Sequence, residues 1–513
     1  MAPVNDMHEQ IRRLTEQNRH LAALSEKQAE LLRLQEEQLR LQDEMLQQNA
    51  SQSQQNAEKI QELEAEIERL KILLAAKADS KSSKKPVFKE NYSMAKNVGP
   101  AKMRRGKAAT GRRPMLLKRG LIKDEYNVYP PDVDPDACVW HRDQFAWRII
   151  DNKAVYVCYH IYDLPDSKQL PLPLGLRNSR SEFGIEIILI VAFLHYWSGL
   201  SLDHVCNVLF FFTRLDLSKS QADSLLRQLA TDWDEQYDTI TSLIAIQLIV
   251  YIDETGWKVG KKHCYTWVFS TAMYVLYRCG VTRGKVEAAA VLGESFSGIG
   301  VTDDYAAYKH LFTKHQLCWA HLIRKAIKLM LQHPDQTEYA TFLEGLCAIY
   351  DLALRYQRDG RLSVGRAAKA QELLDRLREL CTRHGETIPP EERESHLADF
   401  IRLQNELMDN PDCLFVFVEH PNVEATNNRS ERNNRKEAET RKAGRTSKTQ
   451  NGAERRGIIL TVLASLATRC KRFTLDHLLA EVNAWWQNGL SLFQQELATF
   501  HQANAPPDCP IPT

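Results

Sequence analysis

Two short apolar runs, each ended by an aspartate, constrain the fold of this chain more than any other feature. Leu248-Ile249-Val250-Tyr251-Ile252 runs into Asp253, and Ile299-Gly300-Val301-Thr302 runs into Asp303. Short runs rich in β-branched and aromatic residues favour strands, so both carboxylates fall at expected strand ends. A third acid, Glu431, sits at an expected helix start within Glu424-Ala425-Thr426-Asn427-Asn428-Arg429-Ser430-Glu431-Arg432. Three carboxylates drawn together can hold two Mg²⁺ or Mn²⁺ ions roughly 4 Å apart against a phosphodiester. Hard oxygen ligands select those ions. Asp253 would bridge both, with Asp303 on one and Glu431 on the other. Each position has competitors: Glu254 beside Asp253, Asp304 beside Asp303, and Glu424 or Glu437 near Glu431.

The surrounding pattern predicts a strand over 244–253, a turn through 258–262, and strands over 264–270 and 274–279. A helix over 285–292, a strand ending at Asp303, a helix near 305–312 and a short strand at 316–318 complete it. Three antiparallel strands followed by α-β-α-β is the layout of a ribonuclease-H-like domain, so residues 241–470 are expected to form an α/β catalytic unit. Residues 320–419 are almost wholly helical in pattern, giving a large helical insertion over about 320–424, ahead of Glu431. Residues 471–513 are expected to hold a closing amphipathic helix, near 473–486, and a tail.

The chain upstream is modular. Residues 1–76 carry steps of three and four at Ile11, Leu14, Asn18, Leu21, Ser25, Gln28, Leu32, Gln35 and Leu39, then at Ile60, Leu63, Ile67, Leu70 and Leu74. That spacing predicts an interrupted coiled coil and a homodimer, or else a single solvated helix. Residues 77–125 form an expected flexible linker. Between positions 77 and 119, fourteen Lys and Arg face only Asp79 and Glu90. Lys102, Arg104, Arg105, Lys107, Arg112 and Arg113 are its candidate phosphate contacts. Residues 126–165 suggest a small β module turning at Asp151-Asn152. Cys138, His141, Cys158 and His160 are candidate zinc ligands there, but the one-residue gap in the second pair fits structural zinc poorly and argues for a metal-free remnant. Residues 166–240 are helical, either a helix-turn-helix-like DNA-binding unit or a structural layer.

Overall composition bounds the class. The net charge of +1 hides the basic linker, and eleven cysteines lack any C-x₂-C pair, which argues for a reducing compartment. No signal-peptide pattern opens the chain. The apolar stretch over 185–194 is far shorter than the roughly 20 residues of a membrane helix. A cytoplasmic protein, nucleoid-associated when bound to DNA, is expected.

The words around the carboxylates resemble a known family. Tyr251-Ile252-Asp253-Glu254-Thr255-Gly256-Trp257-Lys258-Val259 resembles the first-aspartate motif of insertion-sequence-66-type transposases, and Val301-Thr302-Asp303-Asp304-Tyr305 resembles the second. Gln316-Leu317-Cys318-Trp319-Ala320-His321 is similar to the segment that follows. Thr426-Asn427-Asn428-Arg429-Ser430-Glu431-Arg432 is similar to the third motif. The chain departs from the family where Asp304 replaces the usual Gly, where Asn433-Asn434 replaces a more apolar continuation, and where a four-cysteine zinc ribbon is usual. The resemblance implies a DDE-type transposase that cleaves element ends at terminal inverted repeats in double-stranded DNA. It joins the freed 3′-hydroxyl to target DNA, with Asp253, Asp303 and Glu431 as metal ligands and accessory proteins from the same element. A catalytically inactive, transposase-derived DNA-binding scaffold is the alternative. A ribonuclease acting on RNA–DNA hybrids fits the fold but not the basic linker or the insertion.

Arg429, Arg432, Arg435, Lys436, Arg441 and Lys442 are further candidate DNA contacts beside the third acid. Trp257, Tyr305, Cys318, Trp319, His321, Asn427 and Asn428 are candidate supporting residues. Cys318 and His321 could be half a zinc site, a support for the acids, or a packed core pair.

Overall fold

The computed structural model describes residues 121–308 and 310–503. The proposed coiled coil and the six basic linker residues from Lys102 to Arg113 lie outside them.

Strands β1 (Ile122–Val128), β2 (Val139–Ile150) and β3 (Lys153–Asp163) form a small sheet in the order β1-β3-β2. β1 starts inside the stretch expected to be linker. β2 and β3 meet through Asp151 and Asn152, both at positive φ, as a two-residue hairpin requires. Strands β4 (Ile249–Val259), β5 (Lys262–Ser270), β6 (Val275–Val281), β7 (Phe296–Thr302) and β8 (Phe312–Leu317) form a second sheet in the order β6-β5-β4-β7-β8. β4 lies at its centre, antiparallel to β5 and parallel to β7.

Helices cover this sheet on both faces. Helices α1 (Ile185–Ala192), α2 (Leu202–Thr213), α3 (Lys219–Asp232) and α4 (Asp234–Ala245) precede it, and α5 (Lys285–Leu292) lies between β6 and β7. One buried cluster joins Ile187, Leu226 and Ile240 from these helices to Val250, Ile252 and Phe269 of the sheet. Alternation along β4 sends Tyr251 the other way, into a second cluster with Val301 and Leu317.

That second face packs under the insertion: α6 (Trp319–Gln332), α7 (Thr337–Arg358), α8 (Ser363–Leu380), α9 (His396–Asp409) and α10 (Val416–Glu419). The chain then returns as α11 (Asn428–Lys442) and α12 (Gln450–Ala467), and ends in α13 (Leu475–Asn488) and α14 (Leu492–Ala503). Trp319, fully buried, anchors the return. Its indole N–H donates to the Leu414 carbonyl at 2.6 Å, and its ring stacks on Tyr350 at 5.3 Å. The Gln316 amide donates to the same carbonyl at 3.0 Å and accepts from the Phe417 N–H at 3.0 Å.

Three elements differ from the sequence reading. Ile244 lies in the last turn of α4 instead of opening a strand, because Ile240, Leu243 and Ile244 form one buried helical stripe. An apolar run cannot by itself separate a buried helix end from a strand start. The expected helix near 305–312 is a single turn, Ala306–Tyr308, followed by His310 at φ 62°. The C-terminal tail holds a second helix, α14. Ser491 and Gln494 cap its start reciprocally, and Phe493 is fully buried.

Candidate metal centre

The register of two parallel strands brings the first two acids level. Tyr251 pairs with Val301 across β4 and β7. Asp253 and Asp303 each lie two residues further on, so both return to the face of Tyr251 and Val301, one strand spacing of about 4.8 Å apart. Asp253 accepts a hydrogen bond from the Asn434 amide at 2.7 Å and one from the Glu254 N–H at 2.9 Å. Burial pushes its carboxyl up to about 7. The Asn434 hydrogen bond opposes that rise, while the negative charges of Glu254, Asp303 and Glu431 add to it.

Asp303 accepts from the Tyr305 N–H at 3.2 Å. It lines a cleft of about 240 Å³ together with Asp304, Tyr305, Cys318 and His321. Glu254 points to the opposite side of β4. Its side chain, 3% exposed, is held by Arg283 at 2.8 and 3.0 Å and by the Tyr308 hydroxyl at 2.5 Å. Asp304 is exposed.

Glu431 lies in the first turn of α11, and side chains of that helix place it. The Asn427 amide donates to the Ile252 carbonyl at 2.6 Å, one residue before Asp253, while its backbone N–H donates to the Cys318 sulfur at 3.1 Å. Ser430 donates to the Val268 carbonyl at 2.9 Å, and the Asn433 amide donates to Ser270 Oγ at 3.0 Å. Asn428 is exposed. Arg324 donates to both Glu431 oxygens at 3.2 Å, and His321 Nδ1 lies 3.6 Å from Glu431 Oε1.

α11 has almost no apolar residues, yet it buries Ser430, Asn434, Glu437 and Thr440 at helical spacing. Sequence reasoning missed this polar stripe, because a search for apolar periodicity passes over it. The same 3.6-residue spacing among polar side chains, Ser430, Asn434, Glu437 and Thr440, was the available signal. Glu437 is fully buried and bonds Arg456 at 2.6 and 2.8 Å, and the Arg456 guanidinium lies over the Trp257 ring at 4.9 Å. Trp257 donates its indole N–H to Ser447 Oγ at 3.1 Å, tying β4 to the segment that follows α11. Glu424 pairs with Arg429 at 2.6 Å.

The cations on α11 divide by face. Arg429 is held by Glu424 and lies over the Tyr251 ring at 5.3 Å, Arg441 donates to the Gly256 carbonyl at 3.2 Å, and Lys436 sits on the face of Trp197. Burial pulls the Lys436 ammonium down to about 8. Arg432, Arg435 and Lys442 are exposed.

The four candidate zinc ligands do not converge. The β2–β3 register sets Asp143 opposite His160, and a bulge intervenes between Trp140 and Arg142. Cys158 and His160 therefore cluster with Asp143. Cys138 instead donates to the Asp134 carbonyl, and His141 bonds the Leu164 carbonyl at 3.1 Å.

These features define an α/β protein with three half-buried acids near the central strand of a mixed sheet, Asp303 and Glu431 each close enough to act on the charge of Asp253. Residues 180–455 match the family model of the IS66 family of transposases, over half of the chain. The chain belongs to that family, and membership supports a transposase role. The matched stretch contains Asp253, Asp303 and Glu431. No curated protein sequence matches the chain. Among the described residues, no helix is long and apolar enough to cross a membrane.

Proposed function

We propose that the protein is a DDE transposase that cleaves element ends at terminal inverted repeats and joins the freed 3′-hydroxyl to target DNA. The observation that carries this reading is the Asp253 carboxyl, half-buried on the central strand within the field of Asp303 and Glu431. The sheet supports a ribonuclease-H-like core: three antiparallel strands, then two parallel ones, with acids on the central strand and after its parallel neighbour.

The donor set suits a hydrated divalent cation, Mg²⁺ or Mn²⁺. Asn427 Oδ1 and Asn434 Oδ1 are buried without a hydrogen-bond partner among the described residues. Asn434 lies on α11 and Asn427 at its N-cap, where water on a cation would supply the missing donors. Asp253, Asp303 and Glu431 would hold the ions. Such ions supply an activated water or 3′-hydroxyl and stabilise the leaving oxygen.

The chain's own residues hold that geometry. Asn427, Ser430 and Asn433 keep α11 against β4 and β5, Asn434 orients Asp253, and Arg324 neutralises Glu431. Arg432, Arg435 and Lys442 would contact DNA phosphates, as would the basic linker. The coiled-coil segment would pair two copies, one for each element end.

A duplex carrying the terminal inverted repeats tests the reading. With Mg²⁺ or Mn²⁺ the protein nicks it at the element boundary and frees a 3′-hydroxyl, and chelation stops the reaction. Specific binding without cleavage under both ions would leave the inactive scaffold instead.

Asn434→Leu removes the amide hydrogen bond that orients Asp253. It is expected to lower divalent-ion affinity by roughly 10- to 100-fold, measured by calorimetric Mn²⁺ titration. Unchanged affinity would show that this hydrogen bond does not position the carboxylate.

A further inference from the structure

We infer that His321 supplies a nitrogen donor to the cation position at Glu431, making it a mixed nitrogen–oxygen position that favours Mn²⁺ over Mg²⁺. The inference rests on the metal reading above and extends it to one further ligand and to metal preference.

His321 occupies the first turn of α6, with its backbone N–H donating to the Cys318 carbonyl at 3.0 Å. Its Nδ1 faces Glu431 Oε1 across 3.6 Å, too far for a hydrogen bond. That nitrogen is buried without a hydrogen-bond partner among the described residues. A buried unpartnered nitrogen is costly unless something else occupies its lone pair. Two ligands on one small ion, each about 2.1 Å from it, stand roughly 3 to 3.5 Å apart, so a small closure brings both atoms onto one cation.

The neighbouring groups narrow the choice of ligand. Cys318, His321 and Glu431 offer ligand atoms within 4.8 Å of one another, but the Cys318 sulfur already accepts the Asn427 N–H at 3.1 Å and so holds the start of α11. His321 and Glu431 remain. Arg324 bridges the Glu431 oxygens with a side chain that is 53% exposed, so it can swing into solvent when an ion takes its place. His321 also lines the same cleft as Asp303. Imidazole nitrogen suits first-row transition ions, whereas Mg²⁺ prefers oxygen.

Electron spin-echo spectroscopy of tag-free, full-length protein loaded with Mn²⁺ reads the ligand directly. Histidine nitrogen coupling to Mn²⁺ is expected. It should change frequency on ¹⁵N-histidine labelling, disappear in His321→Gln and persist in His160→Gln, the control for the Asp143–Cys158–His160 cluster. In calorimetric titrations His321→Gln should weaken Mn²⁺ binding by roughly tenfold or more while changing Mg²⁺ binding by less than about threefold. The labelled wild-type protein shows whether histidine nitrogen is bound even if the variant misfolds. Mn²⁺ that binds in an Asp253-dependent way without histidine coupling overturns this inference and leaves the carboxylate reading standing. Failure of Mn²⁺ to bind overturns both.

Discussion

Asp253→Asn, Asp303→Asn and Glu431→Gln are each expected to lower cleavage and joining by roughly 10³-fold or more while leaving DNA binding intact. None of the three side chains is expected to grip DNA. Asp253 lies under α11, Asp303 lines the cleft, and Glu431 is drawn to Arg324 and His321. Electrophoretic mobility shift and strand-transfer assays on the same duplex separate the two functions. Retained strand transfer in any variant would remove that residue from the metal position.

The Asp253→Asn substitution also carries a stability signature. The Asp253 carboxyl titrates at about 7 in the folded protein, against an ordinary value of 3.8. A raised carboxyl favours folding while protonated and loses that contribution as pH climbs. The metal-free protein should therefore lose stability between about pH 4 and pH 7, by at most about 4 kcal/mol from this group. Asp253→Asn should flatten that decline and raise the metal-free melting temperature at pH 8. Divalent ions should stabilise the wild type more than the variant. A variant that melts lower than wild type at pH 8 without metal would show that the carboxylate cluster is not under mutual strain.

Breaking the buried pair behind α11 should have the largest effect on folding. Glu437→Ala leaves the Arg456 guanidinium, 5% exposed, without its partner, and removal of one member of a buried ion pair costs about 3–5 kcal/mol. Glu437 shares a helical stripe with Ser430 and Asn434, so loosening it also displaces Glu431 and Asn434 from the sheet. The double variant Glu437→Met with Arg456→Leu should recover most of the lost stability, because apolar replacement removes both desolvation penalties. Chemical denaturation measures both. A single-variant loss below about 1 kcal/mol would show that the pair is not the clamp described.

Much of the scaffold is legible in the sequence because its signals are local. The hairpin at Asp151-Asn152, the helix Lys285–Leu292 and the strand running into Asp303 follow from turn chemistry and from apolar runs of the right length. The level placement of Asp253 and Asp303 follows once β4 and β7 are recognised as parallel neighbours. What escapes is set by tertiary packing. Nothing local shows that Asn434 reaches Asp253, because a polar residue on a polar helix is ordinarily solvated. The same blindness hides which cations of α11 turn inward: Arg429, Lys436 and Arg441 are identical in kind to Arg432, Arg435 and Lys442, and only the sheet and Trp197 distinguish them. Ile244 is misplaced because a strand and the last turn of a buried helix look alike over four residues.

Anomalous diffraction from crystals soaked in Mn²⁺ tests the central claim most directly. Two Mn²⁺ peaks roughly 4 Å apart are predicted, both within ligand distance of Asp253, one also touching Asp303 and the other Glu431. Manganese bound only at places that Asp253 does not reach, or no peak between the three carboxylates at saturating ion, would contradict it.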